Sequence, residues 1–218
     1  VHTTCSPFWC QRRHCVTWPS EHLAKKEGEQ KMNQVPWHYA ERLEILHEID
    51  RAILEARSPG EIAEAALHHV RRLVPCLGGA VVILHLERDE AIVLVAEVSD
   101  ELKVREETRL SLREFRWGRE LVQALQQGKV HIVEDLCVDS SWSRSARVML
   151  EWGLRALLNV PLVAEGELIG LLCLGAERSG PFAPEHVDLA CEVAQPLAIA
   201  IQQARLCEQV RTGRDRLR

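Results

Sequence analysis

No apolar run in the sequence approaches the ~18–20 residues of a membrane span, and the N-terminus has no uninterrupted apolar signal core. These absences point to a cytoplasmic chain without a membrane segment. A basic excess is also missing: 27 Lys and Arg face 32 Asp and Glu, for a net charge of −5. Nucleic acid and anionic membrane both demand a basic face, so neither partner is expected. The eight cysteines include no CxxC pair. Cys5, Cys10 and Cys15 are separated by four-residue gaps that fit a zinc site loosely even with His2 and His14 nearby, so no metal is expected. The other five cysteines are scattered singly, so nothing suggests a disulfide framework, and Cys173 and Cys191 fall in apolar patterns where a thiol serves as a small hydrophobe. Residues 1–36 lack aliphatics apart from Val1, Val16, Leu23 and Val35 and cannot build a core, so a poorly ordered leader is expected there. The chain starts with Val rather than Met, which suits a fragment or a misplaced start as well as a native leader.

What is present is an ordinary globular composition, 46% apolar over 218 residues, enough for one domain of about 150–200 residues with flanks. The most informative run is Asn159–Gly175. Two apolar arms flank Glu165-Gly166, a pair suited to a tight hairpin turn, and both arms are apolar on both faces, as in central strands covered on each side. Pro161 lacks a ladder donor, which predicts a bulge or an unpaired position there.

Upstream, Tyr39, Leu43, Leu46, Ile49, Ile53 and Ala56 recur at steps of three and four, predicting an amphipathic helix from Trp37. Ser58-Pro59-Gly60-Glu61 reads as a helix restart with a capping Ser, and the second helix reaches about Leu73. Ala80–Leu86 and Ala91–Val98 form a predicted hairpin. Residues 99–117 show no clear period, with a short strand near Thr108–Leu112. A helix over Gly118–Gln127, a strand over Val130–Leu136 and a helix over Ser143–Trp152 follow. The last helix, after Pro184, has a heptad-like seam of Val187, Ala190, Ala194, Leu197, Ile201 and Ala204, with Pro196 expected to kink it.

This order of elements resembles a GAF domain over roughly residues 37–210. The resemblance rests on Leu46-His-Glu-Ile-Asp-Arg-Ala-Ile-Leu54, Gly153-Leu-Arg-Ala-Leu-Leu-Asn-Val-Pro-Leu162, Gly166-Glu-Leu-Ile-Gly170, and Phe182-Ala-Pro-Glu-His186 with Ala198-Ile-Ala-Ile201. It implies an α+β fold: an antiparallel sheet of about six strands, terminal helices packed on one face, and a pocket layer of loops and short helices on the other. Phe115, Trp117, His131, Cys137, Trp142, Arg144, Arg147 and Trp152 then become candidate pocket residues, the tryptophans for flat contact and the arginines for an anion. The resemblance also implies a homodimer through the terminal helices, with Leu43, Leu46, Ile53, Leu197, Ile201, Ala204 and Val210 as dimer or output positions. Residues 205–218 resemble the connector into a bacterial sensor histidine kinase, whose phospho-accepting His motif and ATP-binding domain are absent here.

Within the family, cGMP binders carry an Asn-Lys…Phe…Asp-Glu pattern that this chain lacks. Covalent bilin needs a Cys, and haem a His, near Arg144–Trp152, where neither residue occurs. These three ligands are therefore not expected, and no other cofactor is assigned. The expected function is a regulatory sensor domain feeding a kinase or other output module. The alternatives are a dimerisation module without a ligand and a thiol-based redox protein. The second resembles methionine sulfoxide reductases of this family, yet Trp117-Gly118-Arg119-Glu120 stands where they have Gly-x-Cys, and Cys137 alone lacks a resolving partner. No catalytic role is expected of this chain.

Overall fold

A computed structural model describes residues 47–48, 51, 58–98, 103–104, 108–112, 119–139 and 144–216. The expected leader, and the stripe of Tyr39, Leu43, Leu46, Ile49, Ile53 and Ala56, lie outside the described residues. His47, Glu48 and Arg51 are helical, and Glu48 accepts from Arg72 Nη1 at 2.8 Å.

Helix α1 (Pro59–Leu73) starts where its chemistry dictates. Ser58 is extended (φ −138°), its hydroxyl accepts from the Glu61 N–H at 3.2 Å, and Pro59 occupies the first turn. Glu61 in the first turn and Arg71 and Arg72 in the last complement the helix dipole. Ile62, Ala63, Ala66, Leu67 and Val70 are buried at helical spacing, so one face of α1 is spent on the core.

The strands are β1 (Gly78–His85), β2 (Glu90–Glu97), β3 (Lys103–Val104), β4 (Thr108–Ser111), β5 (His131–Val133), β6 (Ala156–Ala164) and β7 (Glu167–Ala176). They form one antiparallel sheet in the order β3-β2-β1-β7-β6-β5, with β4 pairing β2 beyond β3. Because β3 faces Ala96–Glu97 and β4 faces Glu90–Val93, the two share one edge. The sheet is thus six positions wide, as the family resemblance implies. At the β6–β7 turn Glu165 (φ 54°) and Gly166 (φ 82°) are both left-handed, the backbone a two-residue hairpin loop requires. Pro161 stays in register with Leu171, and the irregularity expected at it falls one step further on, between Leu162 and Val163. On its other side β6 pairs with β5 only as far as Asn159, which leaves room for a residue without a donor.

Helix α2 (Arg119–Gln126), a one-turn helix α3 (Leu136–Asp139) and helix α4 (Arg144–Glu151) follow the edge strands, and α5 (Pro184–Arg216) runs 33 residues to close the fold. The strand expected over Val130–Leu136 is only three residues long. Asp135 ends it by accepting the Cys137 N–H at 2.9 Å, which turns the chain into α3.

Helices α1 and α5 cover one face of the sheet. Val81, Ile83, Val95, Leu158, Val160, Leu162, Leu172 and Leu174 point into this core, where Ala190, Ala194, Leu197 and Ile201 of α5 meet them. Leu197 and Ile201 are completely buried, so the heptad-like seam packs on the protein's own sheet. Among the described residues, the large apolar side chains that α5 leaves exposed are Ile199, Leu206 and Val210. Ala204 is half-buried against the same core. On the opposite face two smaller clusters form. One joins Val82, Leu84, Ala91, Val93 and Leu171 to Leu112 and Leu125; the other joins Val133 and Leu157 to Leu136, Ala146 and Leu154. Among the described residues, no helix is long and apolar enough to cross a membrane.

Candidate functional site

Strand register sets a row of side chains across the sheet: His131 lies opposite Asn159, Asn159 opposite Cys173, Cys173 opposite Ala80, and Ala80 opposite Ala96. Side chains alternate along a strand. Since Leu158, Leu172, Leu174, Val81 and Val95 point towards α1 and α5, this row points the other way. Ala80, Ala96 and Cys173 pack beside the Leu125 cluster under α2, and the Leu136 cluster lies under α3 and α4.

The row is made mostly of small residues and is incompletely covered. It crosses the middle of the sheet, yet His131, Cys173, Ala80 and Ala96 are all only half-buried, whereas the helix-facing Val81, Val95, Leu158, Leu172 and Leu174 are covered. Cys173 shows the shape most directly. Enough protein surrounds its thiol for burial to push its pKa up to about 12, while solvent still reaches the residue. We read a group both crowded and accessible as the floor of a shallow trough. Small side chains create that floor, and a leucine at Ala80 or Cys173 would fill it.

One end of the trough is polar. Asn159 is 9% exposed, an amide within a strand otherwise built of aliphatics, and its Nδ2 lies 3.2 Å from His131 Nδ1. With the imidazole neutral and protonated at Nε2, the amide N–H donates to Nδ1. An apolar slot with a hydrogen-bonding pair at one end suits a small molecule carrying a polar edge.

The wall beside α3 is held electrostatically. Arg155, just before β6, donates from Nε and Nη2 to the two carboxylate oxygens of Asp135 at 3.0 and 3.2 Å. The Leu136 N–H reaches the Arg155 carbonyl at 2.7 Å. The Arg155 guanidinium, with the Cys137 N–H, holds the Asp135 carboxyl below its ordinary range. This pair fixes where α3, and with it Cys137, sits relative to the sheet.

Of the candidates read from the sequence, the trough floor receives His131. Cys137 is exposed on α3, Arg147 is exposed on α4, and Trp152 follows α4 at 37% exposure, just before the left-handed Gly153. Arg144 is the first residue of α4. Phe115, Trp117 and Trp142 lie outside the described residues. Asn159 and Cys173 are not among the pocket candidates read from the sequence, which takes Cys173 only as a small hydrophobe. The signal for Asn159 was available, since an amide in an apolar central strand needs a partner.

Three of the five described thiols are poorly suited to redox chemistry. Burial raises the pKa values of Cys76 and Cys191 as well as that of Cys173, which keeps these sulfurs protonated and poorly nucleophilic. Among the described residues, no three His, Cys, Asp or Glu side chains gather as a metal site.

The fold matches known structures. The chromophore-binding domain of an unusual bacteriophytochrome, RpBphP3 from R. palustris, superposes with a TM-score of 0.64 at 13% identity, over 79% of this chain and 64% of that one. A second structure of bacteriophytochrome RpBphP3, from the photosynthetic bacterium R. palustris, gives 0.63 at 14% identity, over 84% of this chain and 40% of that one. This chain therefore spans less than two thirds of either structure, and at such identities the likeness is one of fold. No curated protein matches the chain. The family model described as "GAF domain" matches residues 56–202, from just before α1 into α5. With the family model covering most of its length and two helices backing a six-position antiparallel sheet, the chain belongs to the GAF domain family.

Proposed function

We propose that the trough binds a small molecule and that the chain is a sensory module reporting its occupancy through α5. The observation that carries this reading is the incompletely covered row from His131 to Ala96, small in the middle and polar at one end, where Asn159 is buried. Strands β1, β6 and β7 supply its floor, and their opposite faces pack against α1 and α5. A ligand that binds one packing arrangement more tightly than another would shift that balance and move α5. That a similar fold serves as a chromophore-binding domain in a bacteriophytochrome is consistent with a small-molecule site. Haem, covalent bilin and cGMP remain unexpected on the residues present, and the ligand is best sought among small, partly apolar metabolites.

In this reading the chain is not itself an enzyme. It works in the cytoplasm, feeds a histidine kinase or another output module in cis, and engages neither nucleic acid nor membrane. A thermal-shift panel of metabolites on the intact chain is the test. A compound that raises the melting temperature of the wild type and fails on Ala80→Leu or Cys173→Leu supports the trough. If no compound stabilises the wild type, or hits persist in both folded variants, the sensor reading fails.

A second reading, dimerisation without a ligand, is favoured by one observation. Ile199, Leu206 and Val210 form an exposed apolar line on α5, spaced seven and four residues apart. It takes over the role expected of Leu197 and Ile201, which are consumed in the protein's own core. Sedimentation of Ile199→Asp and Leu206→Asp checks it: a wild-type dimer that becomes a folded monomer in both variants would place the interface on this line.

A further inference from the structure

The far end of β1 makes a contact that the trough does not need. His85 closes the strand, and Arg205 Nη2 lies 3.3 Å from its Nε2. The contact sits where α5 leaves the sheet. Ile201 is fully buried, Ala204 and Arg205 are half-buried, and Leu206 to Val210 are all exposed. Arg205 is thus the last half-buried residue of α5 before the exposed stretch 206–210.

That contact depends on the charge of the imidazole. Neutral His85, protonated at Nδ1, offers the Nε2 lone pair to the guanidinium. Protonation removes the acceptor and sets two cations against each other. The surroundings place more positive than negative influence on the ring. Arg88 comes from the turn after β1, and Arg109 from β4. Glu90, which pairs with His85 across the β1–β2 ladder, already accepts from Arg109 at 3.0 Å. Glu167 at the start of β7 and Glu208 one turn along α5 are exposed. Burial first, and then the three arginines, hold the His85 pKa below its ordinary value, in keeping with a site built for the neutral ring.

We propose that the His85–Arg205 contact is a proton-sensitive latch that holds the outgoing part of α5 on the sheet and releases it when His85 is protonated. This adds a pH input to the output helix and needs no ligand in the trough. The sign follows from the lowered pKa. The latch is closed above the ordinary histidine value and opens as pH falls through the lowered one.

Amide hydrogen exchange on the full chain, corrected for intrinsic rates, tests it at about pH 7.5 and about pH 5 on either side of a histidine titration. In the wild type, protection of residues 206–210 should fall about tenfold at the lower pH, the scale of one charge-assisted hydrogen bond. Residues 190–201 should hold and so report that the fold is intact. His85→Gln keeps a side-chain oxygen for Arg205 but cannot titrate, so its 206–210 segment should stay protected at both pH values. Arg205→Met should leave the segment open at both and raise the His85 pKa seen by NMR. The latch is refuted if wild-type protection does not change with pH, or if His85→Gln keeps the wild-type response. An unmoved His85 titration in Arg205→Met would also overturn it.

Discussion

Leu197 and Ile199 stand two residues apart on α5 and should answer substitution in opposite ways. Leu197 has no exposed surface and lies among Leu158, Leu172 and Val193, whereas Ile199 is 48% exposed. Truncating a fully buried leucine to alanine costs about 2–5 kcal/mol, from lost transfer energy plus the cavity left behind. Leu197 sits between a helix and a sheet that cannot both collapse inwards, so about 3 kcal/mol is expected. For a domain of this size that lowers the melting temperature by about 6–12 °C. Ile199→Ala removes side-chain atoms that solvent already reaches and should stay within about 0.5 kcal/mol in the monomer. Calorimetry at a concentration where sedimentation shows a monomer separates the two. Equal destabilisation by both variants, or a neutral Leu197→Ala, would mean that the sheet does not consume the heptad-like seam.

Gly170→Ala should be among the most damaging changes in the sheet, because a Cβ there would collide with the Val82 backbone carbonyl, which cannot swing away as a side chain could. We expect a loss of about 2–3 kcal/mol, read as a lower urea midpoint. Ser58→Ala removes the cap on the Glu61 N–H and should cost about 1 kcal/mol in the same assay. The Asp135 carboxyl, held low by Arg155, should keep its pair with Arg155 above the ordinary carboxylate range and lose it as pH falls through the lowered pKa. The Cys137 amide resonance, hydrogen-bonded to Asp135, should follow that titration and lose its pH dependence in Asp135→Asn.

Local signals of short range were legible in the sequence. Ser58-Pro59-Gly60-Glu61 predicted the start of α1 to the residue, and Glu165-Gly166 predicted the β6–β7 turn. Each depends on a few neighbouring residues whose chemistry allows one backbone course. The period of α5 was equally plain, but a stripe at steps of three and four fits a sheet-facing helix as well as a coiled coil. Its partner lies elsewhere in the chain, so periodicity alone could not name it. The aromatic and cationic side chains chosen for the pocket were selected by residue type. The trough is defined instead by what is small, Ala80, Ala96 and Cys173, and smallness carries no local signal until register sets these residues side by side.

Asn159 belongs between these cases. Placing an amide in the middle of Leu157-Leu158-Asn159-Val160 costs stability unless a partner is supplied, and the partner, His131, arrives from a strand 28 residues earlier. An aliphatic residue at position 159 would serve the sheet better than this pair does. A polar pair at one end of a half-open floor therefore makes most sense if it is read by something that enters the trough. On that argument Asn159→Val should raise the stability of the empty protein, or leave it unchanged, while abolishing any ligand shift seen in the wild type. A variant that loses stability and keeps ligand binding would return Asn159 to a purely structural role.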